Sequence, residues 1–276
     1  MGRGAWAQAA LLMFLFAAVF GPTWAWAVGI WSRSEFYSHG FLILPISVFL
    51  AWRLWQSRPT PAGSTAPGIL LVLVSAAIHL VARKFDVWFP SAFAFVGVLA
   101  GTLWWLGGWS TFRHFWFPVL FLVFAIPLER FLVLQFAQPL QLSASTTAAA
   151  IARGAGLPVS QMGTTLRMPD YTFEIAIPCS GLKSGIAMSA LGALLGYILV
   201  GPWWGRLALF LLSIPMALVA NVARVVITLV LARAVGPAAA DGFLHTFSGL
   251  MVFALALAGL FGLSRIFSCK GIRTDF

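Results

Sequence analysis

Charge is what this sequence has least of. Of its 276 residues only 9% are charged and seven are acidic, against 61% hydrophobic. A soluble domain carries roughly 25% charged residues, so a water-soluble globular fold is excluded and an all-α polytopic membrane protein is implied. Cysteine is scarce as well. Cys179 and Cys269 lie at opposite ends of apolar stretches, which argues against a disulfide between them. No CxxC pair and no metal-ligand spacing occurs, so no cofactor and no metal is expected. The formal charge of +10 raises nucleic acid as a partner, but the bases are scattered and no soluble basic segment carries them. Topology and contact with anionic membrane lipids account for the charge better.

What is abundant points the same way. Thirteen Trp and twenty-five Phe suit helices in lipid whose ends meet the interfaces. Crossing the hydrocarbon takes about 20 mostly apolar residues, and eight stretches qualify. The first, residues 5–30, is broken by Gly21-Pro22, and Arg3 with Ala25-Trp-Ala27 also reads as a cleavable signal peptide. A retained anchor is the expectation, and either outcome leaves residue 31 onward on the same side. The other spans fall at about 40–55, 68–82, 89–107, 115–134, 180–199, 206–233 and 246–265, with Arg113-His114 following the fourth. Residues 1–276 read as a single integral membrane domain. In the sixth span Gly181, Gly185, Ser189 and Ala193 recur at i, i+4, a small-residue face that lets a neighbouring helix approach.

Residues 135–178 differ. Gln135 to Ala155 is a mildly polar helix suited to an interface, carrying Ser143, Ser145, Thr146 and Thr147. Thr164–Met168 and Tyr171–Ile177 then alternate about Pro169-Asp170, which reads as a β-hairpin. An open sheet edge is not tolerated in hydrocarbon, so the hairpin belongs outside the bilayer or in a wet cavity. Eight spans put both termini on one side, with Arg3, Arg53, Arg58, Arg113, Arg206, Arg265, Lys270 and Arg273, leaving nine of the seventeen bases opposite. That count does not set the orientation, but six of the seven acids also lie opposite, and that face is read as extracytoplasmic.

The chain is organised around Glu174-Ile-Ala-Ile-Pro-Cys179-Ser-Gly-Leu-Lys183-Ser-Gly185, where a β-like run gives way to an apolar helix. A thiol at a helix N-terminus feels unpaired N–H groups and the positive dipole end, both of which favour thiolate. Most membrane cysteines are simply small apolar residues. Arg224 is the stronger signal, because a guanidinium at mid-span costs roughly 2.5 to 3.5 kcal/mol. Asn221, Arg224 and Thr228 share one helix face. His245 is placed to act as the base of a Cys–His pair, with Arg224 stabilising an oxyanion. His39 and Tyr37 sit at the outer mouth of the spans as pocket residues. Glu129 and Glu174 are candidate partners of Arg224 or Arg130, and Cys269 is either a spare thiol or a lipidated one.

Together the Glu174–Ser184 stretch, Asn221-Val-Ala-Arg224-Val, His245-Thr-Phe-Ser-Gly249 and Tyr37-Ser-His39-Gly40 resemble the exosortase/archaeosortase family of membrane transpeptidases, the bacterial branch in particular. The resemblance covers nearly the whole chain, from about Tyr37 to the last span. It implies eight spans and an outward-facing catalytic set of Cys179, Arg224 and His245, with His39, Tyr37, Ser180, Asn221 and Glu174 towards the substrate. Its implied substrates are exported proteins with a C-terminal PEP-CTERM-like sorting signal: a short motif such as Pro-Glu-Pro, a hydrophobic helix and a basic cluster. Cleavage near the motif would pass the protein to a cell-surface acceptor in concert with exopolysaccharide-pathway proteins. Two rivals stand beside it. A transporter or lipid flippase would use Arg224 and Asn221 to bind an anion, but predicts internal repeats that the hydropathy does not display and leaves Cys179 idle. A non-catalytic scaffold for polysaccharide export would use the polar stripe only to hold a partner helix.

Overall fold

A computed structural model describes residues 3–61, 63, 65–169, 171–240 and 243–274; within these, the side chains of 3–15, 178, 179, 239, 240, 243–246 and 248 lie outside the description. The chain is mostly helical with one small sheet, and divides into two compact units, Met1–Leu128 and Glu129–Asp275.

The first unit contains α1 (Arg3–Arg33), α2 (Gly40–Trp55), α3 (Ala66–Lys84) and α4 (Trp88–Phe121), the last extended by a 3-10 turn, Leu122–Ala125. α4 is two helices in series. Gly108 adopts φ 77°, ψ 177°, which breaks the helical ladder at a residue with no Cβ to clash. In a continuous helix eight residues rise about 12 Å, yet the Trp104 and Phe112 rings stack with centroids 5.9 Å apart. The chain therefore reverses at Gly108, and Ala92, Val96 and Ala100 of the first arm share a core with Val119, Leu122 and Ile126. The fourth span thus ends where expected, at about 107, but the fifth begins before Arg113-His114 rather than after it. Arg113 and His114 lie inside the second arm, where the His114 ring nitrogen Nε2 bonds the Leu54 carbonyl at 2.9 Å. That arm ends near Ala125, short of the expected 134, because Pro127 follows.

α3 and the first arm of α4 meet backbone to backbone. A Cβ on Gly68 would collide with the backbone at Trp105, and one on Gly101 would sit 2.8 Å from a Val72 methyl. Polar side chains tie α1 and α3 to this arm: Thr23 and Ser91 share a 2.6 Å hydrogen bond, and Ser91 a 2.8 Å bond with His79 Nδ1. In an apolar surround such pairs satisfy groups that would otherwise be costly to bury.

The second unit begins with α5 (Glu129–Leu132), a π turn (Val133–Ala137) and α6 (Gln138–Gly154). A three-stranded antiparallel sheet follows, in the order β1 (Ser160–Met162), β2 (Thr165–Met168), β3 (Tyr171–Glu174). The expected hairpin is β2–β3, and β1 adds a strand that three residues of alternation are too short to announce. A 3-10 turn (Ile177–Ser180), α7 (Leu182–Ile198), α8 (Trp203–Val235), α9 (Pro237–Ala240) and α10 (Phe243–Ile266) complete the chain.

Counting the two arms of α4 separately, α1, α2, α3, α7, α8 and α10 bring the apolar helical segments among the described residues to the expected eight. Ala66–Lys84, Trp88–Ala125, Trp203–Val235 and Gly249–Ile266 are long and apolar enough to cross a bilayer, and Gly40–Trp55 and Leu182–Ile198 are shorter apolar helices.

α7 and α8 pack closely, most tightly at Gly192 and Gly196. A Cβ on Gly192 would meet the Ser213 side chain at 2.7 Å and one on Gly196 the Arg206 carbonyl at 2.6 Å, while around Gly185 no described atom lies within 4 Å of that position. The tail after α10 folds back on the α7–α8 turn: Lys270 N–H donates to Val200 O at 2.9 Å and Val200 N–H to Gly271 O at 3.2 Å. This tucks Cys269 to 2% exposure beside Gly201 and Gly205. Burial pushes its thiol up from the ordinary value of 9.0, opposed by Arg206. In this position the thiol packs as a small buried side chain.

Candidate active site

The site builds from α8 outward. This helix has 33 residues, or about 50 Å at 1.5 Å per residue, against about 30 Å of hydrocarbon. Trp203 and Trp204 at its start are 71% and 50% exposed, as aromatic residues at an interface are. About 20 residues further on the helix reaches Asn221 and Arg224, so this polar pair falls near the opposite interface. Beyond it Val225, Leu229 and Ala232 are buried against Ala144, Ala148, Ala149 and Ala152 of α6 and Leu166, Met168 and Ile175 of the sheet region. The polar helix expected to lie at the interface thus has an alanine face packed on the last turns of α8.

Asn221 is 2% exposed, and its Oδ1 accepts a 2.8 Å hydrogen bond from Nη2 of the half-buried Arg224. Thr228, one turn on, donates its hydroxyl to the Arg224 carbonyl at 3.0 Å. A charge-assisted bond to an amide oxygen holds one nitrogen of the guanidinium in place.

The cysteine-bearing turn lies directly against this pair. Gly181 has φ +88°, the left-handed region open to glycine, and a Cβ there would lie 2.9 Å from Leu218 Cδ2 and 3.4 Å from Asn221 Cβ. The backbone two residues after Cys179 therefore touches the residue that holds Arg224. Sequence reasoning places Cys179 at the helix start; in the structure it sits in the 3-10 turn, separated by Gly181 from α7, which begins at Leu182. Ser180 is 1% exposed and shapes the turn itself, donating to Ile177 O at 2.7 Å and accepting from Leu182 N–H at 3.3 Å.

No motif or spacing singles out Gln141. Its Nε2 donates to Ile175 O at 2.6 Å, joining α6 to the chain four residues before Cys179. Ile175 itself is fully buried and its N–H donates to Thr164 O at 3.1 Å. Ser145 and Gln161 add to the same joint, with Ser145 donating to Gly163 O at 3.1 Å and Gln161 to Ser145 at 3.2 Å. The segment entering the turn is thus held from both sides. Glu174 closes β3, with an exposed side chain, opposite Thr165. Among the described residues no three His, Cys, Asp or Glu side chains gather as a metal site.

The structure thus brings together Ser180, Asn221 and Arg224, with Glu174 at the end of the strand that feeds the turn. The side chains of Cys179 and His245 lie outside the described residues; the backbone of His245 is in the first turn of α10. Tyr37 and His39 belong to the first unit. Tyr37 is 2% exposed and stacks at 5.5 Å on the His39 ring, whose Nε2–H donates to Phe124 O at 3.2 Å. Burial lowers the His39 pKa from the ordinary 6.5, against the carbonyls of Phe124 and Phe36, which raise it. Gly40 is required next to it, since a Cβ there would enter the Trp31 indole.

A protein-family model described as transmembrane exosortase matches residues 31–262, which takes in every one of these positions. The chain belongs to the transmembrane exosortase family. No curated protein and no solved structure matches it. Exosortase membership makes it a multi-pass membrane protein of a transpeptidase family that processes PEP-CTERM sorting signals.

Proposed function

We propose that the chain is a cysteine transpeptidase that cleaves the C-terminal sorting signals of exported proteins at a site made by Cys179, Arg224 and His245. The observation that supports this most is the seat of the Gly181 turn on Asn221, because it sets the Cys179 backbone beside the residue that fixes the Arg224 guanidinium. The thiolate attacks the scissile carbonyl and a C–S bond forms. Arg224 stabilises the oxyanion as a positioned positive charge. His245 takes the thiol proton and returns it to the leaving amine as the C–N bond breaks. An amine of the surface acceptor, or water, then attacks the thioester and frees Cys179.

In this reading the substrate's hydrophobic helix enters from the lipid and the motif is cut near the extracytoplasmic interface. Tyr37, His39, Ser180, Asn221 and Glu174 serve substrate binding, Ser180 and Asn221 by holding the turn and the guanidinium in place. Exopolysaccharide-pathway proteins are the proposed functional partners. The test is co-expression with a membrane protein bearing such a tail, in the presence of a thiol-reactive probe. Tail cleavage that disappears as Cys179 is labelled is the expected result. Normal processing by Cys179→Ala would sink the mechanism.

A further inference from the structure

The sheet that leads into the cysteine turn has an open side. Strand order is β1-β2-β3, so β3 is an edge strand, and it is the strand whose chain continues to Cys179. Its register settles which backbone groups face outward. Thr165 pairs with Glu174 and Arg167 with Thr172, and Ile175 N–H donates to Thr164 O. Hydrogen-bonded pairs alternate along an antiparallel ladder. Leu166–Phe173 and Met168–Tyr171 are therefore the pairs that bond across β2–β3, and Thr172 and Glu174 turn their N–H and C=O groups away from it. The same alternation closes β1–β2 at Met162–Thr165, as its register requires.

Among the described residues no backbone hydrogen bond outside the sheet takes up the amides or carbonyls of Thr172 or Glu174. Both side chains are exposed, while Tyr171 and Phe173 pack against the core below. Ala176 stays extended, at φ −63°, ψ 160°, so the outward alternation continues through it. From Ala176 the backbone reaches Cys179 in three residues, at most about 11 Å. An unpaired edge is a template for another strand, and extended peptides are commonly bound by adding to one.

We propose that the outer edge of Thr172–Ala176 is the docking strip of this enzyme. The extended segment of the substrate next to its scissile bond adds there as a fourth strand and is thereby aligned with Cys179. The proposal rests on the acyl-transfer reading and names how that site holds its substrate. It makes recognition depend on backbone groups of the substrate as well as on its side chains.

Two measurements test it on the full-length protein in liposomes with a tail-bearing substrate. Proline is accepted at edge positions whose N–H points outward, so Thr172→Pro and Glu174→Pro remove an outward donor each and leave the β2–β3 ladder intact. Each is expected to raise KM and lower kcat/KM by about tenfold, the scale of one lost hydrogen bond, with unchanged thermal unfolding. In the second, Thr172→Cys is combined with Cys179→Ala, and single cysteines are scanned along the substrate's extended segment. Cross-linking that repeats every second residue is expected, since side chains alternate along a strand. Wild-type kinetics in the proline variants, or cross-linking without that period, would overturn the strip and leave acyl transfer standing. Normal cleavage by Cys179→Ala would instead remove the reading beneath it.

Discussion

Gly181 and Gly185 are one helical turn apart and equivalent by spacing, yet the structure gives them opposite roles. Gly181 holds φ +88°, where an L residue is strained by roughly 1–2 kcal/mol. A Cβ there would also lie 2.9 Å from Leu218 Cδ2 and 3.4 Å from Asn221 Cβ. The Leu218 methyl can rotate away, but Asn221 is tied to Arg224, so crowding adds about 1 kcal/mol, the low end for overpacking. Gly181→Ala is therefore disfavoured by about 2–3 kcal/mol, or roughly 30- to 150-fold in the population of the formed turn at 1.4 kcal/mol per tenfold. Relief comes from opening the turn, so the loss falls on catalysis more than on global unfolding. Gly185 has no left-handed φ, and no described atom lies within 4 Å of its would-be Cβ. The assay is kcat/KM for tail cleavage, with thermal unfolding measured in parallel. Gly181→Ala is expected to lose most of its activity near the wild-type melting temperature, and Gly185→Ala to keep both. Equal damage from the two, or a Gly181→Ala enzyme within twofold of wild type, would refute the turn geometry.

Cys179→Ala is expected to abolish tail processing while membrane insertion, followed by protease protection, persists. Arg224→Lys keeps a charge but loses the planar fork bonded to Asn221; a fall in kcat of at least about tenfold with KM little changed is expected, and wild-type kcat would remove Arg224 from the oxyanion role. Gln141→Leu leaves the carbonyl of the buried Ile175 without its side-chain donor, a loss of about 1–3 kcal/mol, and cleavage should fall at temperatures where the fold is intact. For His39 the folded pKa lies below the ordinary 6.5 through burial. Its contribution is complete above 6.5 and is lost as pH falls through the folded value, because the unfolded chain takes up the proton first. Thermal stability of the reconstituted protein should drop between pH 7 and 5, and His39→Gln should flatten that slope; identical slopes would contradict it.

Much of the architecture was legible because membrane spans are written locally. An apolar run of sufficient length has few alternatives in lipid, since each backbone group must be bonded within its own segment. Alternation about Pro169-Asp170 likewise announced the β2–β3 hairpin. The end of the fourth span at about 107 was legible, but the fifth was expected only from about 115 because charge normally marks a span end. Here Gly108 makes the reversal, and Arg113 and His114 ride on the helix that follows.

The sequence by itself determined the number of apolar segments, the sheet before the sixth of them, and the residue types whose cost in a membrane demands a use: Arg224, Asn221 and a cysteine beside a glycine. Each follows from composition and local period, which fold with the chain's own neighbours. The tertiary structure alone decided which small residues meet another helix, so that Gly181, Gly192 and Gly196 touch α8 while Gly185 does not. It alone set Gln141 on Ile175, buried Cys269 and made β3 an edge strand among the described residues. Those outcomes depend on the rotation and register of elements far apart in the chain, and no local period encodes either.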